Sequence, residues 1–191
     1  MKPLCAWAFI AIVLAVAPPA RADSVTYRID TAHTRVTWEV RHFGTSTQRG
    51  RFDGADGFIT LDREKGAGEV SITIPTASVS SGEPVLDGVL RGSSFLAAEQ
   101  HPSAYFTSHT LRFDAGRLVA LNGEFTLRGV SRPMTLAAQN FACRDDARLK
   151  REVCGGDFEA QLLRSDYGST FGLPFVSDHV RLLIAVEGIR Q

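Results

Sequence analysis

Most of this chain, from about residue 25 onward, consists of short segments in which apolar and polar residues alternate. Val36, Trp38 and Val40 alternate with polar neighbours, and the same pattern recurs as far as residues 180–186. Alternation at period two indicates strands with one buried face, and about eight or nine such strands fit the sequence. An all-β chain of this kind buries its strand faces in a closed barrel or in a two-sheet sandwich.

One segment, residues 84–97, breaks the alternation. Val85, Leu86, Val89 and Leu90 recur there at helical spacing, which predicts one short amphipathic helix. The strand count favours an eight-stranded barrel, which encloses just enough space for its own side chains or for one slender ligand. Because the helix alone interrupts the strands, it is a candidate gate to the barrel interior.

The N-terminus has the three parts of a secretion signal. Lys2 is basic, residues 4–17 are apolar, and residues 20–22 read Ala-Arg-Ala, a small-x-small cleavage site. We expect residues 1–22 to be a cleaved signal peptide and residues 23–191 to be one domain, exported to the periplasm. The apolar run is shorter than the roughly 18–20 residues that span a bilayer, so no membrane anchor is expected.

The charge balance argues against nucleic acid as a partner. Removing Lys2 and Arg21 lowers the 21 basic residues to 19 against 21 acidic ones, which leaves a net charge of −2. A near-neutral surface without a basic cluster has little electrostatic drive toward nucleic acid or an anionic membrane face.

Two cysteines, Cys143 and Cys154, remain beyond the signal segment. An exported chain meets an oxidising compartment, so we predict that they form a structural disulfide. The bridge would enclose residues 144–152, a charged stretch that cannot bury itself. The spacing does not match a C-x-x-C redox centre, and no histidine lies close enough in sequence to complete a zinc site.

Five ordered motifs resemble the YceI-like family. The first, residues 30–42 (DTAHTRVTWEVRH), is similar to that family's opening pattern and continues into Gly50-Arg51-Phe52. The others, in order, are residues 90–96 (LRGSSFL), 101–108 (HPSAYFTS), 121–133 (LNGEFTLRGVSRP), and the closing pair 164–168 (RSDYG) and 176–180 (VSDHV). Residues 144–152 depart from the family pattern, and we expect them to alter one rim of the barrel.

The resemblance implies an exported, antiparallel, lipocalin-like barrel that holds a polyisoprenoid lipid of the prenyl quinone or polyprenyl type. The lipid would be stored, shielded or transported as a ligand, with no cofactor and no catalytic residue. The sequence leaves open which isoprenoid is bound and whether the protein forms a homodimer.

A cavity for such a chain needs only adaptable apolar side chains. We expect the ligand-binding wall among nine residues of the predicted strands: Trp38, Phe52, Phe58, Ile72, Ile74, Phe106, Phe125, Leu127 and Leu136. The alternative for each is ordinary core packing, since an eight-stranded barrel can be filled by its own side chains.

The polar candidates point to supporting roles. His33 and His42 flank one predicted strand and therefore lie near its opposite ends, so no metal site is predicted. Arg164 and Asp166 alternate on one predicted strand, which favours a structural or rim role, with contact to a ligand head group as the alternative.

No motif for catalysis is present, since the sequence contains neither G-x-S-x-G nor H-E-x-x-H nor a glycine-rich phosphate loop. We therefore do not expect an enzyme. Two alternatives remain open: a ligand-free β-sandwich that serves as an interaction or stress-response module, and an enzyme that modifies a lipid or quinone without a recognisable motif.

Overall fold

A computed structural model describes residues 24–191; the signal peptide predicted at residues 1–22 lies outside this range. The described chain forms strands and one α-helix, α1 (Pro84–Arg91). In chain order the strands are β1 (Val25–Ile29), β2 (Arg35–His42), β3 (Ser46–Phe52), β4 (Asp56–Asp62), β5 (Ala67–Pro75), β6 (Val79–Ser80), β7 (Ser103–Asp114), β8 (Arg117–Leu127), β9 (Val130–Asp146), β10 (Arg151–Leu163) and β11 (Val176–Arg190).

These strands form one antiparallel sheet that closes where β1 pairs with β11. β1 and β2 lie end to end along β11, β3 and β4 lie beside them, and β5 and β6 follow. Each of these three pairs fills the place of one barrel strand, and β7 to β11 supply the other five. The predicted eight-stranded antiparallel barrel is therefore confirmed, and the two-sheet sandwich is wrong.

Each break in a barrel strand reverses the inward–outward alternation. Ile29 in β1 and Val36 in β2 are both buried, although an odd number of positions separates them. The same holds for Ile74 in β5 and Val79 in β6. In an unbroken strand, residues an odd number apart point to opposite faces, so each break shifts the pleat by one residue.

This reversal corrects one predicted strand. The sequence predicts a strand from Phe52 to Leu61 and a turn cluster at residues 53–57, and in the structure residues 53–55 separate β3 from β4. Phe52 and Ile59 both pack on the core, whereas Phe58 is 50% exposed with the Arg28 guanidinium 5.8 Å from its ring centre. Phe58 therefore lies on the outer face, and its assignment to the cavity wall does not fit the structure.

The helix is shorter than residues 84–97. It begins at Pro84, where the Glu83 carboxylate accepts a hydrogen bond from the Val85 N–H, and it ends at Arg91 before Gly92. The helix lies where the sheet is incomplete, because β6 pairs with β3 and β7 pairs with β5, with no β6–β7 ladder in the part of the chain described. The helix packs against β6 on this side.

The hairpin of β9 and β10 is more regular than the sequence suggests. Strand pairing continues to Asp146 and Arg151, so only residues 147–150 form the turn of the charged stretch. Cys143 and Cys154 stand directly opposite each other, and the predicted disulfide joins them. The charged stretch that the bridge encloses is therefore a paired hairpin with a four-residue turn.

The outer face of the barrel carries linked ion pairs. Arg181 contacts Glu159 at 2.6 Å and Glu39 at 3.3 Å, and Arg49 contacts Glu39 at 2.6 Å. Hydrogen bonding from Arg49, together with Arg181, lowers the pKa of the Glu39 carboxyl. Exposed pairs of this kind contribute little stability, so the fold depends on the interior and on strand pairing.

Replacing both bridge residues, Cys143→Ser with Cys154→Ser, should lower the free energy of unfolding by about 2–3 kcal/mol, because the bridge restricts the unfolded chain. Urea denaturation of the oxidised protein and the double variant measures this difference. Adding a reductant should destabilise only the protein that retains the bridge. Equal stability of the two proteins would show that β9–β10 pairing alone holds the hairpin.

Candidate functional site

Two cavities divide the barrel interior. The larger has a volume of about 520 Å³ and lies among β2, β3, β6, α1 and the adjoining parts of β8, β10 and β11. The smaller, about 70 Å³, lies in the other half, beside β1, β4 and β5. Val36 contributes to both walls. The larger cavity has the size and apolar lining typical of sites for small molecules.

The structure places eight of the nine predicted wall residues along these two cavities. The larger cavity is lined by Trp38, Phe52, Ile74, Phe125 and Leu127. The smaller cavity is lined by Ile72, Phe106 and Leu136. Phe58 lines neither, for the reason given above. The prediction therefore found the interior face but did not distinguish its open half from its filled half.

Trp38 shapes the larger cavity. It is 8% exposed and pairs across the sheet with Gly50, whose missing side chain leaves room for the indole ring. The indole N–H is buried and finds no hydrogen-bond partner within residues 24–191. An orphaned buried donor costs about 1–3 kcal/mol.

Arg164 is a polar residue of the cavity wall that was predicted on a strand. It lies instead in a 3-10 turn (Arg164–Tyr167) and is only 6% exposed. Its Nε donates to the Ser177 carbonyl at 2.9 Å, and its two Nη atoms donate to the carbonyls of Ser169 at 2.7 Å and Val176 at 2.8 Å. These bonds fasten the loop before β11 to the barrel.

The charge of Arg164 is not matched by an ion pair among the residues described. Burial lowers the pKa of its guanidinium, and the more distant charge of Asp178 opposes that effect. The guanidinium also lies 6.0 Å from the centre of the Phe95 ring. A buried cation without a carboxylate partner is costly, so an oxygen-bearing group in the cavity would be stabilised beside it.

A second arginine joins the loops at this end of the barrel. Arg128 donates from Nη1 to the carbonyls of Ser93, at 2.8 Å, and Phe95, at 2.6 Å, and from Nε to the carbonyl of Tyr167, at 3.0 Å. The loop after α1 is thereby fixed against the 3-10 turn that holds Arg164. These bonds join residues 33 to 39 positions apart, so no local sequence pattern indicates them.

Helix α1 forms part of the cavity wall through Leu86, Val89 and Leu90. The helix is attached to the barrel by packing of Leu90 on the core and by polar contacts. Asp87 accepts hydrogen bonds from the N–H and hydroxyl of Ser81, both at 2.6 Å, and these bonds lower the pKa of its carboxyl. Arg91 donates to the carbonyls of Ala77, at 2.9 Å, and Val79, at 3.2 Å. The helix is thus tied at a few points to the β5–β6 side.

The narrow half of the barrel is closed by a polar cluster. Tyr27, 1% exposed, donates to Glu152 at 2.5 Å, and Glu152 also pairs with Arg63 at 2.8 Å. Burial, reinforced by the hydrogen bond to Glu152, raises the pKa of Tyr27 to about 12. The Tyr27 hydroxyl therefore keeps its proton and its hydrogen bond to Glu152 well into the alkaline range.

The histidines lie apart. His33 hydrogen-bonds to Asp30 at 2.7 Å before β2, and this contact raises the pKa of His33 and lowers that of Asp30. His42 lines the larger cavity at the other end of β2. Asp30, His33 and Glu187 come within 4.8 Å of one another, and the His33–Asp30 pair accounts for that grouping without a metal.

Among residues 24–191, no helix combines the length and apolar character needed to cross a membrane.

A closed antiparallel barrel around an apolar cavity defines a small-barrel binding protein. The profile of the YceI-like domain matches residues 27–188. Protein YceI of Escherichia coli O157:H7 is 32% identical over 193 residues, covering 100% of this chain and 98% of the relative. A UPF0312 protein of Pectobacterium carotovorum is 33% identical over 180 residues, covering 94% and 93%. The chain belongs to the YceI-like family.

Solved structures share the fold. Burkholderia cenocepacia BcnA matches with a TM-score of 0.71 and 21% identity, covering 83% of this chain and 98% of that one. A polyisoprenoid-binding domain of Saccharophagus degradans, implicated in plant cell wall breakdown, matches with a TM-score of 0.63 and 19% identity, covering 86% and 98%. At these identities the likeness establishes the barrel architecture.

Gly50→Ala tests the packing of the cavity wall. An added Cβ would lie only 2.6 Å from the Ser80 carbonyl oxygen and would collide with the Trp38 indole. We expect a loss of about 1–3 kcal/mol or more in unfolding free energy and a displaced indole, seen as changed tryptophan fluorescence. In the matched control, Gly88→Ala, the new methyl meets open space on α1 and should stabilise by about 0.5–1 kcal/mol.

A Gly50→Ala protein as stable as the wild type, with unchanged fluorescence, would contradict the close approach of Trp38 to this glycine.

Proposed function

We propose that this protein is an exported carrier that holds a polyisoprenoid lipid, of the prenyl quinone or polyprenyl type, in its larger cavity. The observation that carries the proposal is an apolar cavity of about 520 Å³ inside a closed barrel. The polyisoprenoid-binding description of the Saccharophagus degradans domain, which shares this fold, supports the choice of ligand class. The disulfide is consistent with action in an oxidising compartment such as the periplasm.

The apolar wall supplies affinity without fine chemical discrimination. Burial contributes about 0.8 kcal/mol per methylene, so each five-carbon prenyl unit gives roughly 3–4 kcal/mol before costs. A chain of about eight units would exceed the practical affinity limit near 18–21 kcal/mol, so ordering costs offset much of the gain. Recognition of the tail therefore depends mainly on its length and shape.

The polar groups of the wall suit an oxygen-bearing head group. Arg164 is a buried cation, and the Trp38 indole N–H is a buried donor, and both line the larger cavity. Quinone carbonyls and phosphate oxygens are acceptors, whereas a hydrocarbon tail offers none. The wall thus favours an isoprenoid with an acceptor-bearing end over a plain hydrocarbon.

The test is mass spectrometry of protein expressed with its signal segment in a cell that makes isoprenoid lipids and purified without detergent. Native spectra should show a stoichiometric extra mass that denaturation releases and that matches a prenyl lipid. A protein that stays free of lipid, even after incubation with quinones and polyprenols, would instead support a ligand-free interaction module.

A pair of variants tests whether the lipid binds in the larger cavity. Val40 lines the larger cavity, whereas Thr37 on the same strand alternates to the outer face. Val40→Trp should lower lipid occupancy about tenfold or more, because overpacking costs about 1–3 kcal/mol. Thr37→Trp should retain the lipid. Equal occupancy in both variants would place the lipid elsewhere.

Helix α1 is the element through which we propose that the cavity opens. It covers the side of the barrel where β6 and β7 do not pair, and besides the packing of Leu90 on the core its attachments are a few polar contacts that solvent can replace. Unfastening the helix would require no strand of the barrel to separate.

Arg91→Ala removes two of these attachments and should speed lipid exchange between protein and donor vesicles several-fold, measured with a fluorescent prenyl lipid. Arg49→Ala, which removes an arginine bonded to Glu39 on the outer face, is the matched control and should leave the rate unchanged. Identical exchange rates in both variants would show that α1 is not the gate. In a second test, an engineered disulfide joins the helix to the barrel, and an unchanged exchange rate there would also reject the gate.

A further inference from the structure

The mouth of the larger cavity is surrounded by exposed apolar side chains. Of the eight large hydrophobic residues that are exposed in the described chain, five lie here, and we call them the apolar rim: Phe43, Val85, Val89, Phe171 and Phe175. The other three, Phe58, Tyr105 and Leu149, lie apart from them.

Direct contacts connect the rim to the cavity. Val89 and Phe171 belong to both the rim and the cavity wall. Phe43 stacks on Phe175 with ring centres 5.4 Å apart, and its N–H donates to the Phe175 carbonyl at 2.6 Å. Val85 lies one turn before Val89 on α1, so both point to the same side of the helix. Phe175 directly precedes Val176, which also lines the cavity, so all five rim residues belong to segments that border the cavity wall.

The two loops that carry the phenylalanines lack charged groups. Residues 42–48 (HFGTSTQ) and residues 168–177 (GSTFGLPFVS) contain no Asp, Glu, Lys or Arg. The charges nearest in sequence flank the two loops: Arg41 and Arg49 on either side of the first, and Asp166 and Asp178 on either side of the second. The loops can enter an apolar medium without the large cost of removing a charge from water.

We propose that the apolar rim docks on a phospholipid bilayer and places the cavity mouth against the lipid from which the cargo is drawn. Aromatic side chains are favoured at the boundary between membrane and water, and exposed apolar patches of this kind mark interaction sites. The position of the rim around the opening favours a bilayer over a protein partner, because the cargo of the proposed function resides in bilayers. The reason for docking rests on the proposed function, but binding to vesicles can be measured whether or not the protein carries a lipid.

The rim is uncharged, so the proposed contact differs from electrostatic adsorption. The chain beyond the signal segment has a net charge of −2, which gives no attraction to anionic lipid. Binding should be similar for neutral phosphatidylcholine vesicles and for vesicles containing phosphatidylglycerol, and it should be insensitive to salt. These two readouts separate docking through the rim from binding through basic residues.

The experiment is flotation of the full chain, lacking only the signal segment, with phosphatidylcholine vesicles. The double variant Phe171→Ser with Phe175→Ser should lower the vesicle-bound fraction about tenfold or more, because each ring loses its apolar burial. Phe58→Ser with Tyr105→Ser removes a comparable exposed apolar area away from the mouth and should bind as the wild type does. All four rings are exposed, and thermal unfolding of each protein verifies that the barrel is intact.

Three outcomes would overturn the proposal: no wild-type binding to any vesicle, equal loss in both double variants, or dimerisation of the wild type that the rim variant abolishes. The last would assign the rim to a second copy of the chain. Mass spectrometry of the same samples keeps the two proposals distinct. Bound prenyl lipid without flotation would reject docking alone, whereas flotation of a protein that never carries lipid would reject the carrier function alone.

Discussion

Pairing of β1 with β11 is the constraint on which the rest of the structure depends, because it removes the free edges of the sheet at one end. Once the ring is closed, the inward side chains can pack only against one another. They either fill the interior or leave a cavity, and an eight-stranded barrel is just wide enough for either result. The Cys143–Cys154 bridge and the Tyr27–Glu152 contact both belong to this tightly closed end.

The open half of the barrel results from the three broken strands. β6 is only two residues long, and β7 begins at Ser103 opposite Pro75, so no strand of residues 24–191 lies on the free side of β6 and α1 covers that gap. On the same side, Gly50 pairs with Trp38 across the sheet and contributes no side chain to the wall. A small residue, a missing ladder and a loosely attached helix together leave about 520 Å³ where the other half leaves about 70 Å³.

The sequence predicted what depends on local pattern. Alternation identified the strands and nearly all the inward residues, and helical spacing found α1. The sequence did not show that the strands on either side of residues 30–34, 53–55 and 76–78 share one barrel position, nor that each break shifts the pleat by one residue, because composition registers neither. Phe58 was misplaced for this reason. Arg164 was placed on a strand because its turn is stabilised by carbonyls at residues 169, 176 and 177, a tertiary contact without a local signature.

Tyr27, Glu152 and Arg63 join β1, β10 and the turn between β4 and β5 at the narrow end of the barrel. The larger cavity lies in the other half, beside α1 and the loop before β11. A long guest that enters from that half would leave by the same route, so the end that enters first would leave last.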